Sequence, residues 1–356
     1  MRILYVAYPM LPVSASVPGG AEQVLWTLER EMTARGYTTS VAACAGSQVA
    51  GSLVATGIAP SGLDEFEQRK AEHENAVMAE IARAQAEGEP YDLVHDHGGS
   101  FWQRAREVRV PVLATLHLPK TFYWGRAFDC IAINTYFNCV SQTQLRSFAD
   151  APHMLGAIAN GIPLRDFPFT PGPREAYLLW TGRICEEKGP HLAIEVARRA
   201  GLPLAIAGDI YRFSYHQDYF DREIRPHLDG QRVRHVSAPS FAAKIKLLAN
   251  ARAVLITSSV AETSSLVAME AMACGTAVVA LDCGALSEIV RNGVTGFVVQ
   301  SIDEMVSALS RVSEIDPTAC RARVEENFSA TRMADDYERV YHRVVESAIR
   351  NGITAA

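Results

Sequence analysis

A chain of 356 residues is longer than one hydrophobic core ordinarily serves, so two domains are the expectation. Hydrophobic residues make up 48% and charged residues 21%, a balance that excludes a disordered or fibrous chain. The formal net charge of −6 gives no global basic field for nucleic acid or an anionic membrane.

The chain carries seven cysteines, an odd number, and none lies in a C-x-x-C pair or a short metal-ligand spacing. Cys44 and Cys274 stand in apolar surroundings where a reduced thiol packs as a small hydrophobe, which favours a reducing, cytoplasmic compartment. The apolar run Ile3–Ala7 soon meets Pro9 and Pro12, too short for a signal-peptide core or a membrane span. Peripheral contact with a membrane surface stays open.

Short apolar runs alternate with longer segments of helical period, the pattern of a parallel sheet with crossover helices. Ile3–Ala7 reads as the first strand, followed by a Pro-, Ser- and Gly-rich loop and a helix over 22–35 that Gly36 ends. Thr38–Ala43 reads as a strand, 64–87 as a charged, alanine-rich helix, and Asp92–His95, Val112–Leu116 and Asn138–Ser141 as further strands. Residues 160–175 hold four prolines and two glycines, which neither a helix nor a central strand accommodates, so the domain linker is expected there. The rhythm then restarts: strands at 177–181, 204–207, 233–236, 253–257 and 277–281, helices at 189–200 and 242–251. The fold class is therefore α/β, with two Rossmann-like domains, 1–165 and 166–331, facing each other across a ligand cleft at their strand C-terminal ends. A last helix over about 332–350 is expected to cross back to the first domain.

Three segments carry chemistry. In Glu262-Thr-Ser-Ser-Leu-Val-Ala-Met-Glu270, Ser264 and Ser265 are candidate helix N-caps and Leu266–Ala273 a good helix. A helix N-terminus offers free N–H groups and positive dipole to a phosphate or sugar oxygen. Were the whole segment helical, the two glutamates would drift roughly 80° apart around the axis; a loop carrying Glu262 followed by a helix carrying Glu270 lets both face one ligand. In Thr181-Gly-Arg183-Ile-Cys-Glu-Glu-Lys188-Gly, an Arg and a Lys on a strand-to-helix turn can both reach a diphosphate, unless Glu186 and Glu187 pair with them instead. Pro18-Gly19-Gly20-Ala21-Glu22 permits close backbone approach after the first strand, but it is not the G-x-G-x-x-G dinucleotide fingerprint.

The ordered set of these segments resembles glycosyltransferase family four, the retaining enzymes of GT-B fold, over nearly the whole chain. Asp92-Leu-Val-His95-Asp-His97, Thr115-Leu-His117, Asn160-Gly-Ile, Ala207-Gly208-Asp209, Ala271-Met-Ala-Cys-Gly-Thr, Glu288-Ile-Val-Arg-Asn-Gly293 and Thr295-Gly-Phe-Val contribute to the likeness, and Glu262/Glu270 match the family's E-x7-E spacing. The resemblance implies transfer of a hexose from a UDP- or GDP-linked sugar to a hydroxyl acceptor that the sequence does not name. Arg183 and Lys188 would neutralise the diphosphate, and Glu270 would accept from the ribose hydroxyls. Glu262 would contact the sugar, with the amides of Ser265, Leu266 and Val267 facing sugar and phosphate. Gly19 and Gly20 would approach the diphosphate, His117 would orient sugar or acceptor, and Gly208 and Asp209 would open the base pocket. No cofactor and no metal are expected, since fixed cations and helix dipoles supply the positive charge and no D-x-D carboxylate pair is evident.

The chain departs from the family's Glu-Pro-Phe-Gly-Leu-Val at Glu262-Thr-Ser-Ser-Leu-Val, and from its short Gly-Asp-Gly loop at Asp209–Phe220. A binding protein that lost transfer, a sugar-nucleotide epimerase and a phosphorylase are the alternatives. His95 and His97 would share a strand face, but no third metal ligand is indicated. Trp102, Phe122, Tyr123 and Trp124 can line an acceptor pocket or simply pack. Arg104, Arg106 and Arg109 read as a solvated face, with a phosphorylated or lipid-surface acceptor as the sharper alternative.

Overall fold

A computed structural model describes residues 1–353 apart from positions 16, 124–126, 170, 173 and 212. It divides into two units, one of residues 1–160 with the C-terminal segment from 330, the other of residues 161–329. Residues 161–175 thus belong to the second unit.

The first unit is built on β1 (Arg2–Val6), β2 (Thr38–Ala43), β3 (Ser52–Ala55), β4 (Leu93–Asp96), β5 (Val112–Leu116), β6 (Thr135–Cys139) and β7 (Met154–Ala157), all parallel in the order 3-2-1-4-5-6-7. The second contains β8 (Leu178–Thr181), β9 (Leu204–Ala207), β10 (Val233–Val236), β11 (Ala253–Ile256), β12 (Val278–Leu281) and β13 (Gly296–Val299), parallel in the order 10-9-8-11-12-13. Both sheets are doubly wound, as two Rossmann-like halves require. Central strands such as β1, β5 and β11 are buried along their length, which is why they read as short unbroken apolar runs rather than alternating ones.

Each order reverses once, between β1 and β4 and between β8 and β11. At such a switch point the loops leaving two adjacent strands diverge to opposite faces and open a crevice at the strand C-terminal edge. The helix Gly20–Ala34 follows β1, and the helix Pro190–Ala200 follows β8, started by a proline in its first turn and closed by Gly201 in the left-handed region.

The last helix, Ala330–Arg350, packs in the first unit although it follows the second in sequence. Its buried stripe includes Met333, Ala334, Tyr337, Tyr341 and Val344, and its outer flank pairs Glu338 with Arg35 at 2.8 Å and with the Tyr37 hydroxyl at 2.6 Å. The crossing back expected of this helix is therefore present. Among the described residues, no helix is long and apolar enough to cross a membrane.

Candidate active site

In the second unit, the loops leaving β8 and β11 bring Arg183, Lys188, Glu262 and Ser265 to the switch-point edge. Glu262 precedes the helix Leu266–Ala273, and its backbone is pinned by a bridge to Gly284 and by the amide of Ala285 donating to its carbonyl at 2.7 Å. A Cβ on Gly284, whose φ is +74°, would lie 2.2 Å from that carbonyl oxygen, so only glycine permits the approach.

Lys188 Nζ lies 2.6 Å from Glu262 Oε1, and the Ser258 hydroxyl donates to the same oxygen. The neighbouring Glu186 and Glu187, the local partners offered by sequence, do not hold Lys188. Instead the ammonium is aimed across the switch point at a carboxylate 74 positions away. The Arg183 guanidinium stacks over the Tyr211 ring at 5.1 Å, in the electrostatic reach of Glu187.

Ser265 caps the helix, its Oγ accepting from the Ala268 amide at 3.4 Å; Ser264 Oγ is buried and has no such bond among the described residues. The cap leaves the amides of Leu266 and Val267 in the first turn, where helix N–H groups lack intrahelical acceptors. Glu270, buried inside the helix, receives Lys244 Nζ at 2.7 Å. Sequence reading missed Lys244, because it stands on another helix, Phe241–Asn250, whose packing against Glu270 has no local signature. Gly208 and Asp209 leave β9. Asp209 Oδ1 accepts from the Ala238 amide at 2.7 Å, and the Gly208 carbonyl accepts from His235 Nε2 at 3.0 Å.

In the first unit, Gly19 caps the helix Gly20–Ala34, with the buried Glu22 carboxylate folded close against it. His117 follows β5, beside a buried polar chain that sequence reading did not assemble. The Asn138 amide nitrogen donates to the Tyr337 hydroxyl at 3.2 Å, and its oxygen accepts from Thr115 Oγ1 at 2.8 Å. With its only hydroxyl proton so used, Thr115 must accept from Tyr337 at 3.0 Å and from His95 Nε2 at 2.8 Å.

Burial holds His95 and His97 well below the ordinary histidine range and His117 at about 4, so all three imidazoles are neutral near pH 7. His95 therefore carries its proton on Nε2. Its bare Nδ1 accepts from the Tyr341 hydroxyl at 2.7 Å and from His97 Nε2 at 3.3 Å. His97 is left with a bare Nδ1, which accepts from His117 Nε2 at 2.9 Å. The chain ends by fixing His117 as the Nε2–H tautomer with a lone pair on Nδ1. Asp96 lies buried beside this chain, held by the amides of Gly98, Gly99 and Trp102 at 2.7, 3.1 and 3.0 Å, and burial pushes its carboxyl up to about 7.

The aromatic candidates divide. Trp102 is core, stacked on Phe128 at 5.4 Å, and Tyr123 packs edge-on against the same ring; Phe122 is exposed, and Trp124 lies outside the described residues. Packing thus claims Trp102 and Tyr123 from the acceptor-pocket reading. Arg104 forks onto Glu107, Arg106 reaches the Cys130 carbonyl, and Arg109 is exposed.

Two family models match, one to each unit: "Glycosyltransferase Family 4" over residues 18–164 and "Glycosyl transferases group 1" over residues 166–327. The D-inositol 3-phosphate glycosyltransferase of Thermobifida fusca is 26% identical over 269 residues, 63% of this chain and 62% of that protein, so the chain spans less than two thirds of this relative's length. Among solved structures, sucrose-phosphate synthase from Thermosynechococcus elongatus superposes with a TM-score of 0.80 at 17% identity, covering 97% of this chain and 99% of that one. Anabaena HepE in complex with UDP-glucose gives 0.73 at 18% identity, covering 96% and 100%. These likenesses identify the two-unit α/β architecture as the GT-B fold.

Proposed function

As the chain belongs to glycosyltransferase family four, the group 1 glycosyl transferases, we propose that it transfers a hexose from a nucleoside-diphosphate sugar to a hydroxyl acceptor, with retention at the anomeric carbon and without a catalytic metal. The observation that carries the reading is the pair of carboxylate–ammonium contacts around one capped helix, Lys188–Glu262 before it and Lys244–Glu270 within it. Each lysine engages Oε1 of its glutamate. Glu270 Oε2 serves the ribose hydroxyls, and Glu262 Oε2 a hydroxyl of the sugar.

Breaking the anomeric C–O bond leaves an oxocarbenium-like centre and a departing nucleoside diphosphate. Lys188 as a point charge and Arg183 as a planar fork stabilise that negative charge as it develops, and the amide of the cap residue Ser265 and the first-turn amides of Leu266 and Val267 add fixed dipoles. A departing phosphate oxygen takes the proton of the acceptor hydroxyl as that hydroxyl attacks from the same face. Gly19 and Gly20 offer backbone N–H groups to the diphosphate. His117 orients the sugar or the acceptor. Gly208 and Asp209 border the base.

UDP is the favoured nucleotide, because HepE, of the same fold, binds UDP-glucose, and GDP is the second choice. Thermal-shift titration with UDP, GDP, ADP, TDP and their sugars tests donor binding, since a ligand of the folded state raises the melting temperature by mass action. Release of nucleoside diphosphate from the stabilising donor, with α-configured product, supports retaining transfer. Binding with neither hydrolysis nor transfer favours the binding-protein alternative, and an epimerised sugar still attached to the nucleotide favours the epimerase.

A further inference from the structure

A second cluster lies in the same unit, on residues the transfer reading does not use. Cys185 and Glu187 belong to the loop after β8, and His216 to the short helix Ser214–Tyr219 inside the segment that departs from the family pattern. The Cys185 thiol, a Glu187 carboxylate oxygen and a His216 imidazole nitrogen all lie within 4.8 Å of one another. Cys185 is wholly buried and His216 only 2% exposed. Glu187 Oε2 and His216 Nδ1 are both buried without a hydrogen-bond partner among the described residues. Two such atoms on residues of one cluster are costly to leave unsatisfied, and a positive ion is a partner that satisfies a carboxylate and an imidazole together.

We propose that Cys185, Glu187 and His216 form a zinc site with three protein ligands. Thiolate, imidazole and carboxylate together suit a borderline-soft ion and not magnesium or calcium, which take oxygen ligands. Zinc bonds of about 2.0–2.3 Å in tetrahedral geometry set ligand atoms about 3.3–3.8 Å apart, so the three atoms, now within 4.8 Å of one another, draw in on binding. The fourth position is taken by water from the adjoining pocket of about 430 Å³, lined by Glu187, His216, Tyr215, Asp218 and Ser259. The charges balance: one thiolate and one carboxylate neutralise the dication, so the nearby Arg183 guanidinium meets no net like charge. On binding, the thiol proton leaves to solvent, and no electron transfer is involved. The ion ties the loop that carries Arg183 and Lys188 to the helix opening at Ser214, and it supplies no step of sugar transfer.

The test uses the full chain, stripped of metal with chelator and titrated with Co²⁺. One equivalent should bind with a thiolate-to-cobalt charge-transfer band and intense tetrahedral d–d bands, and one equivalent of Zn²⁺ should bleach both. Cys185→Ser should abolish the charge-transfer band, while Cys130→Ser and Cys283→Ser keep it. His216→Ala and Glu187→Gln should each weaken zinc at least 10-fold, as read by competition with a chromophoric chelator. A folded wild-type protein with no charge-transfer band overturns the site, and so does a band that survives Cys185→Ser. If Cys185→Ser fails to fold, Glu187→Gln decides: unchanged zinc affinity in that isosteric variant overturns the assignment. Because the readout is spectroscopic and needs no nucleotide, its outcome is independent of whether the chain transfers a sugar.

Discussion

His97 Nδ1 lies 2.9 Å from His117 Nε2, and this contact ends a buried chain running from the Asn138 amide through Thr115, His95 and His97. The tautomer of His117 is therefore set by groups that a ligand of His117 need not touch. The C-terminal helix takes part, since Tyr337 and Tyr341 supply hydroxyls to Thr115 and His95. The contact with His97 thus places the His117 proton on Nε2.

Replacing His97 with Phe removes the acceptor of the His117 Nε2 proton and frees the ring to exchange tautomers. A net hydrogen bond contributes about 0.5–1.5 kcal/mol, so kcat/KM for transfer should fall roughly 3- to 10-fold, with the nucleoside diphosphate still binding normally. Imidazole ¹⁵N shifts report the tautomer directly. A wild-type His117 protonated on Nδ1 would contradict this chain of donors.

Lys188→Ala and Glu270→Ala should each weaken donor binding by about 10- to 100-fold, the order expected for one charge-assisted hydrogen bond of about 1.5–3 kcal/mol. Calorimetric titration of the nucleotide sugar measures this, with circular dichroism as the folding control. Wild-type affinity in both variants would remove these residues from the donor site.

Much of this architecture is legible in sequence, and the reason is physical. Thr38–Ala43, Val112–Leu116, Leu204–Ala207 and Val233–Val236 are strands with the expected bounds, and Leu266–Ala273 the expected helix. Parallel strands covered by helices need short apolar runs, and Ser265 marks the helix start by its side-chain cap. The edge strand Ser52–Ala55 escaped, because its residues are mostly exposed and its apolar run, Leu53–Ala55, is only three residues long. Likewise, Lys188 finds Glu262 rather than its adjacent glutamates, and His95 finds Tyr341, 246 positions away, because the fold and not the local sequence sets those distances.

Acidification should destabilise the protein. Burial holds His73 and His117 at about 4, and His95 and His97 well below the ordinary range, against about 6.5 for an exposed histidine in the unfolded chain. Below pH 6.5 the unfolded chain binds protons that the folded protein refuses, so this stability is complete above 6.5 and lost as pH falls towards 4. Asp96, raised to about 7 by burial, acts in the opposite sense, binding its proton more readily when folded. Four imidazoles outweigh one carboxyl, and the net loss from pH 7.5 to 5.5 should be on the order of 3–4 kcal/mol. Urea denaturation at the two pH values measures it; equal midpoints and slopes would show that these histidines become charged without unfolding.

Gly208→Ala should damage the second unit more than any change at its surface. The residue sits at φ +154°, and a Cβ there would lie 1.9 Å from the Gly182 carbonyl oxygen, a backbone atom held between β8 and β9. Unlike a clash with a flexible side chain, this one cannot be relieved by rotating a χ angle, so the two strand ends must separate. Backbone strain of about 1–3 kcal/mol and overpacking of about 1–3 kcal/mol together imply a melting temperature lower by roughly 4–24 °C, at about 2–4 °C per kcal/mol for a domain of this size. Separating those ends also shifts Arg183, which follows Gly182 directly, so any folded fraction should bind the donor diphosphate more weakly. Gly230→Ala is the control: it too has a positive φ, +75°, but no atom within 4 Å of the added Cβ. Equal loss in the two variants would mean that φ strain alone, and not the contact between β8 and β9, fixes glycine at position 208.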